Sequence, residues 1–161
     1  METLFSWLHL SDLLVGHTGG APGHTQVLLL DRLYKDIIES IEQGLPTPDV
    51  ILVTGDHTYH GSSREYGMAR GRLLDIGRAL GLGPESIFVV PGNHDVERKV
   101  DDDRAVSRLL TALREGSDSL DNAMGRPADR ALLAQRQANY LDFAAGFAPA
   151  CESPEGPPEE R

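Results

Sequence analysis

Three short apolar runs alternate with longer amphipathic segments in the first part of the chain. The runs cover residues 4–10, 49–54 and 87–90 and are rich in leucine, isoleucine and valine. Apolar residues recur at helical spacing in residues 25–43 and 66–80, and glycines follow both segments. Short apolar runs that alternate with amphipathic helices are typical of parallel sheets with right-handed crossovers. The pattern therefore predicts an α/β fold built on a parallel β-α-β-α-β sheet.

The carboxyl-terminal third of the chain has a different pattern. Residues 101–113 begin with three aspartates and continue with an apolar stripe, which predicts a helix. Residues 133–147 predict a second one, and residues 116–127 predict the loop between them. Residues 151–161 are rich in proline and glutamate, so we expect a linker or a disordered tail there. We therefore assign one domain to residues 1–150, with extra carboxyl-terminal helices, followed by that tail.

Composition narrows the classes of function. The 161 residues include 15 Lys and Arg against 25 Asp and Glu, a formal net charge of −10, which disfavours passive binding to nucleic acid. The single cysteine excludes an internal disulfide, and the first residues lack the basic segment of a signal peptide. No apolar run approaches the roughly 20 residues that a membrane helix requires. We therefore expect a soluble, cytoplasmic protein that does not enter a membrane.

Polar residues follow each of the three predicted strands. Asp12 follows the first strand, Asp56 follows the second, and the third continues into Asn93, His94 and Asp95. The carboxyl ends of parallel strands share one edge of the sheet, where the ligands of open α/β sheets gather. Carboxylate, amide and imidazole groups bind Mg²⁺, Mn²⁺, Fe²⁺ or Zn²⁺. One such residue alone is more often a cap or a turn, but three strand ends together predict a site.

These three segments resemble the calcineurin-like metallophosphoesterase family. The resemblance rests on Leu-His-Leu-Ser-Asp at residues 8–12, Val-Thr-Gly-Asp at 53–56 and Val-Pro-Gly-Asn-His-Asp at 90–95. It implies a four-layer sandwich of which this chain forms about half. It also implies hydrolysis of a phosphomonoester or phosphodiester, a cyclic nucleotide among the candidates, by two divalent metal ions. Whether these ions are Mn, Fe, Zn or Mg stays open.

The same resemblance implies a role for each residue. Asp12 is expected to bind the first metal, Asp56 to bridge both metals, and Asn93 to bind the second. His94 is expected to contact the phosphate or to protonate the leaving group. Asp95 is expected to orient the His94 imidazole.

Two departures from the family pattern concern the metal ligands. Leu14 stands where the family has the histidine of its Asp-x-His motif, whereas His57 follows the second aspartate, where relatives often have an apolar residue. His57 is a candidate fourth ligand that would replace the missing nitrogen, although alternation along an extended segment points it away from Asp56. No histidine follows His94, so the later histidine ligands of the family are absent. We therefore expect the amino-terminal half of the domain.

Two functions stay open at this point. The first is a metal-dependent phosphoesterase, whose isolated chain we expect to be inactive or very weak. The second is a non-catalytic binding or sensing module of a larger protein, which Leu14 and the absent histidines favour. One face of the predicted sheet also lacks helices to cover it. We expect self-association, a partner such as the missing carboxyl-terminal half, or cover from the last two helices.

Overall fold

The computed structural model describes residues 5–17 and 24–148, except for the side chains of residues 24–27. Three parallel strands form one sheet in the order β1 (Trp7–Ser11), β2 (Val50–Thr54) and β3 (Ile87–Val90). The predicted α/β fold with a parallel sheet is confirmed. The predicted tail at residues 151–161 lies outside the described residues, and the division at residue 150 stays a prediction.

Helices connect the strands and continue after the sheet. The two crossover helices lie where the apolar periodicity predicts them, because each buries one stripe against the sheet. They are α1 (His24–Glu42) and α2 (Ser63–Ala79), and the later helices are α3 (Arg104–Glu115), α4 (Leu120–Gly125), α5 (Pro127–Arg136) and α6 (Ala138–Ala144). None of the helices in the described ranges is long and apolar enough to cross a membrane.

The carboxyl-terminal helices correct two predictions. Residues 116–127 were expected to form a loop, but they contain α4, because the Ser119 hydroxyl accepts a hydrogen bond from the Asn122 N–H and caps a helical turn. The single helix expected at residues 133–147 begins earlier, at Pro127, and is divided in two at Gln137. Proline at the first helical position has no N–H to leave unpaired, which explains this earlier start.

One face of the sheet forms the core. Ile51, Val53, Ile87 and Val89 point into a buried cluster that includes apolar residues of α2 and α6. The Tyr140 hydroxyl donates to the Val89 carbonyl oxygen at 3.0 Å, so α6 is tied to β3 as well as packed in this cluster. α6 therefore lies on the face that α2 already covers.

The opposite face of the sheet is open within the described structure. Residues paired by the strand register share a face, which places His9, Leu52 and Phe88 in one row and Ser11, Thr54 and Val90 in the next. Trp7 is 58% exposed and Val90 is 55% exposed on this face. The expectation that the last two helices cover it is wrong, because Trp7 and Val90 stay exposed and the buried rings of α6 join the core on the other face.

Candidate functional site

The first two strands both end in aspartates with unusual backbone geometry. Asp12 has φ 54° and Asp56 has φ 50°, values that non-glycine residues rarely adopt. The Asp12 N–H donates to the Gly55 carbonyl oxygen at 3.3 Å, and the Gly55 N–H donates to the Val90 carbonyl oxygen at 2.8 Å. Asp12, Asp56 and the end of β3 are thus joined by backbone hydrogen bonds at one edge of the sheet, as predicted from the strand pattern.

The loops after β1 and β2 stay paired beyond the strands themselves. The Leu14 N–H donates to the Asp56 carbonyl oxygen at 2.8 Å, and the Val15 N–H donates to that of His57 at 3.0 Å. The Tyr59 N–H donates to the Val15 carbonyl oxygen at 3.0 Å. This second pairing satisfies backbone groups that a free loop would leave to water, so it holds the two loops in one arrangement.

The segment after β3 packs directly on Asp56. The His94 N–H donates to Asp56 Oδ1 at 2.9 Å. A Cβ atom at Gly92 would collide with the Asp56 carboxylate and backbone nitrogen, so this position requires glycine. Asp56 therefore links the second and third motifs, while Asn93 and Asp12 remain exposed on either side of it.

Asp95 is fully buried and accepts hydrogen bonds on both carboxylate oxygens. Oδ2 accepts from the His57 N–H at 3.1 Å, from His57 Nδ1 at 2.8 Å and from the Gly92 N–H at 2.9 Å. Oδ1 accepts from the Thr58 N–H at 3.1 Å, and from the hydroxyls of Thr58 and Tyr66 at 3.2 Å each. Burial alone raises the pKa of Asp95, but hydrogen bonds from His57 and Gly92 outweigh it and lower the pKa to about 2.

This geometry corrects the role expected for Asp95. The His94 Nδ1 lies 3.0 Å from the Tyr59 carbonyl oxygen, and a carbonyl only accepts, so Nδ1 carries the hydrogen. The Tyr59 backbone thus orients the His94 imidazole, and Asp95 instead holds His57. The Asp95 side chain points inward because it must satisfy the donors of the β2 loop.

His57 does not lie where a metal ligand is expected. Its ring is fully buried, with centroids 5.2 Å from Phe143 and 6.0 Å from Tyr140. Nδ1 donates to the ionised Asp95, and Nε2 has no hydrogen-bond partner among the described residues. The turn at Asp56 directs the next side chain into the core, so His57 does not replace the nitrogen that Leu14 lacks.

The remaining candidate ligands are all oxygen donors. Asp12, Asp56 and Asn93 lie in segments that backbone and side-chain hydrogen bonds join at one edge of the sheet. Oxygen donors of this kind suit Mg²⁺ or Mn²⁺ rather than a softer ion. In the ranges that the structure describes, no three His, Cys, Asp or Glu side chains are grouped to hold a metal ion. Metal binding by Asp12, Asp56 and Asn93 therefore stays a prediction.

Sequence reasoning missed a cluster of aromatic rings beside this edge. The ring cluster consists of His17, Tyr59, His60 and His94, which come from the loops after all three strands. The Tyr59 ring lies 4.4 Å from His17, 4.6 Å from His60 and 5.1 Å from His94, centroid to centroid. Each histidine taken singly is an ordinary loop residue. The signal that could have revealed the cluster is that every strand end is followed by an aromatic or imidazole ring.

Comparison with known proteins agrees with this arrangement. A search among curated proteins finds no match. The family model described as calcineurin-like phosphoesterase matches residues 5–146, which include all three strands, the strand-end motifs and the ring cluster. Because this match covers most of the chain, the protein belongs to the calcineurin-like phosphoesterase family.

Proposed function

We propose that the protein binds a phosphate ester through a divalent cation held by Asp12, Asp56 and Asn93, as a phosphoesterase whose isolated chain is inactive or very weak. The observation that carries this proposal is the hydrogen bond from the His94 N–H to Asp56 Oδ1, which joins the motifs at one edge. Phosphoesterases of this family are generally metal-dependent. Such a cation, when bound, would polarise a phosphoryl oxygen and lower the pKa of a bound water.

The chain's own residues contribute orientation and a proton. Asp56 is held in place by the His94 N–H and by the close approach of Gly92. Because the His94 Nδ1 donates to the Tyr59 carbonyl oxygen, Nε2 is the nitrogen left to act on the ester. In its protonated form, Nε2 would donate a hydrogen bond to a phosphate oxygen or a proton to the leaving oxygen.

A non-catalytic binding module is the second candidate. Leu14 supplies no ligand atom, and the His57 ring is turned into the core. Neither position 14 nor position 57 therefore supplies a side-chain nitrogen that could bind a cation at this edge. A site with few oxygen donors binds a cation weakly, so such a protein would hold a phosphate ester without turning it over.

Titration calorimetry with Mg²⁺ and Mn²⁺ tests the cation site. We expect weak binding that Asp56→Ala abolishes, because that carboxylate is central to the edge. Asp75→Ala is the matched control, since Asp75 lies on α2 away from the edge, and it should leave binding unchanged. Leu14→His should tighten binding, because it adds a nitrogen donor and histidine tolerates the φ of 46° better than leucine does. Equal heats from all four proteins would contradict the proposal.

Hydrolysis of an aryl phosphodiester separates the two functions. We expect background rates from the unmodified chain, and a rise in Leu14→His if the edge is catalytic. Turnover must survive repurification and disappear when Asp56→Ala is added. Cation binding without turnover in Leu14→His would favour the binding module.

A further inference from the structure

The ring cluster has no role in the proposed cation site apart from His94. Its rings contact one another through Tyr59, which stacks on His94 with an interplanar angle of 21° and meets His17 and His60 at 69° and 90°. Stacked and edge-to-face pairs are the favoured aromatic geometries. The rings of the cluster thus adopt favoured mutual geometries, with His17 and His60 exposed and Tyr59 and His94 partly exposed.

Tyr59 is fixed on both sides of its backbone. Its N–H donates to the Val15 carbonyl oxygen at 3.0 Å, and its own carbonyl oxygen accepts from His94 Nδ1 at 3.0 Å. The first bond joins it to the loop after β1, and the second joins it to the loop after β3. The Tyr59 backbone therefore keeps its position relative to both, and its ring is placed by the contacts with the three imidazoles.

His60 is held by a buried carboxylate while its ring remains exposed. Nδ1 lies 2.9 Å from Glu65 Oε1, and the His60 N–H donates to Glu65 Oε2 at 3.1 Å. Burial raises the pKa of Glu65, but hydrogen bonds from His60 and Ser62 outweigh it and lower the pKa, so the carboxylate is ionised and accepts. The His60 side chain is 64% exposed although it is held in this way. An exposed ring with a fixed orientation suits a contact with a ligand better than a contribution to the core.

The chemistry of the cluster favours an aromatic ligand. Tyrosine and imidazole rings bind other rings by stacking, and the imidazole nitrogens add hydrogen bonds to a heterocycle. A transition metal fits less well, because the described His, Asp and Glu side chains form no group of three that could hold an ion. His94 belongs both to the cluster and to the segment that is hydrogen-bonded to Asp56. A ligand bound to the rings would therefore lie next to the cation site proposed at Asp12, Asp56 and Asn93.

We propose that the ring cluster binds an aromatic group carried by the phosphate ester, so that the substrate class is an aryl ester or a nucleotide. His17, Tyr59 and His60 bind the ring, and His94 lies between the ring and the phosphate. This inference rests on the proposed function for the phosphate half of the ligand.

Phenyl phosphate and methyl phosphate form a matched pair of probes, since only the first carries a ring. Each is titrated into the full chain with Mg²⁺ while the imidazole carbon-bound protons are followed by NMR, assigned by single His→Gln variants. Phenyl phosphate should shift the signals of His17, His60 and His94 and bind about tenfold more tightly than methyl phosphate. The signal of His9, on the open sheet face, should not move with either probe.

Variants of Tyr59 separate ring binding from folding. Tyr59→Leu should abolish the preference for phenyl phosphate, whereas Tyr59→Phe should preserve it because the stacking ring remains. Unshifted signals of His9 in both variants would show that the fold is intact.

The outcomes distinguish this inference from the proposed function. Equal binding of both esters, with shifts confined to His94, would overturn the ring surface and leave the phosphate site standing. Shifts of His17 and His60 by phenyl phosphate, without any response of His94, would support the ring surface and contradict the phosphate site. The absence of any shift would overturn both.

Discussion

Replacing Asp95 by asparagine should destabilise the protein more than any other isosteric change at the site. The carboxylate accepts six hydrogen bonds in the core, three on each oxygen. An amide keeps the shape, but one of its two ends becomes an NH₂ group that only donates. That end then faces donors of the β2 loop.

The loss of stability in Asp95→Asn depends on which hydrogen-bond donors around residue 95 can turn and become acceptors. The NH₂ group fits best in place of Oδ1, because the hydroxyls of Thr58 and Tyr66 can rotate and accept. The Thr58 backbone N–H cannot, so it stays buried without an acceptor, at a cost of about 1–3 kcal/mol. On the other oxygen, the bonds from His57 and Gly92 lose their ionised acceptor, which weakens each by roughly 0.5–1 kcal/mol. We expect Asp95→Asn to lower the free energy of unfolding by about 4 kcal/mol.

Urea denaturation followed by circular dichroism measures this loss. Asp103→Asn is the matched control, because Asp103 caps α3 at an exposed position and asparagine caps a helix equally well. Tyr66→Phe removes a single hydroxyl donor and should cost about 1 kcal/mol, which gives a graded comparison if Asp95→Asn folds poorly. A loss in Asp95→Asn no larger than in Asp103→Asn would refute the reasoning.

Two further predictions concern acid stability and association. The folded-state pKa of Glu65 lies below its ordinary value of 4.5, so its contribution to stability is present above that value and is lost as pH falls through the folded-state pKa. In Glu65→Gln, the urea midpoint of unfolding should fall less steeply as the pH is lowered. An equally steep fall in the variant and the unmodified chain would contradict the argument. The open sheet face should drive self-association, measured by light scattering over a concentration series. Trp7→Lys or Phe88→Lys should reduce it, whereas Leu120→Lys, at an apolar position on α4 that is as exposed as Trp7, should not. A monomer at every concentration would count against the open face.

The sheet and its crossovers could be predicted because each apolar run is bounded by polar or glycine-rich sequence. Ile51, Val53 and Ile87 are fully buried, and a parallel sheet with a covered face requires this kind of run. The division of the last helix at Gln137 was not visible, because apolar residues keep a helical spacing on both sides of it. Periodicity therefore predicts which residues face the core more reliably than it predicts where one helix stops and the next begins.

Strand order predicts which segments meet at the edge of the sheet, but it does not predict where their side chains point. Strand ends bring Asp12, Asp56 and the third motif together whatever their rotamers. The directions of the following side chains depend on backbone angles, and Asp12, Leu14 and Asp56 all have positive φ. Alternation along an extended chain does not apply through such turns. For the same reason, the spacing of residues along the chain does not predict the contacts of Tyr59 with three imidazole rings.

Leu14 and His57 together look like an exchange of two residues between motifs, and the structure argues against treating them as a pair. Position 14 is partly exposed in the loop that follows Asp12. Position 57 is in the core, where a ring packs on Phe143 and donates to Asp95. Leucine at position 57 would fill the space but remove one of the donors that keep Asp95 ionised. Replacing both residues would thus mix a change of ligand with a loss of stability. Position 14 affects the proposed cation site, whereas position 57 affects the stability of the core. A nitrogen donor added at position 14 should therefore tighten cation binding while His57 stays in place.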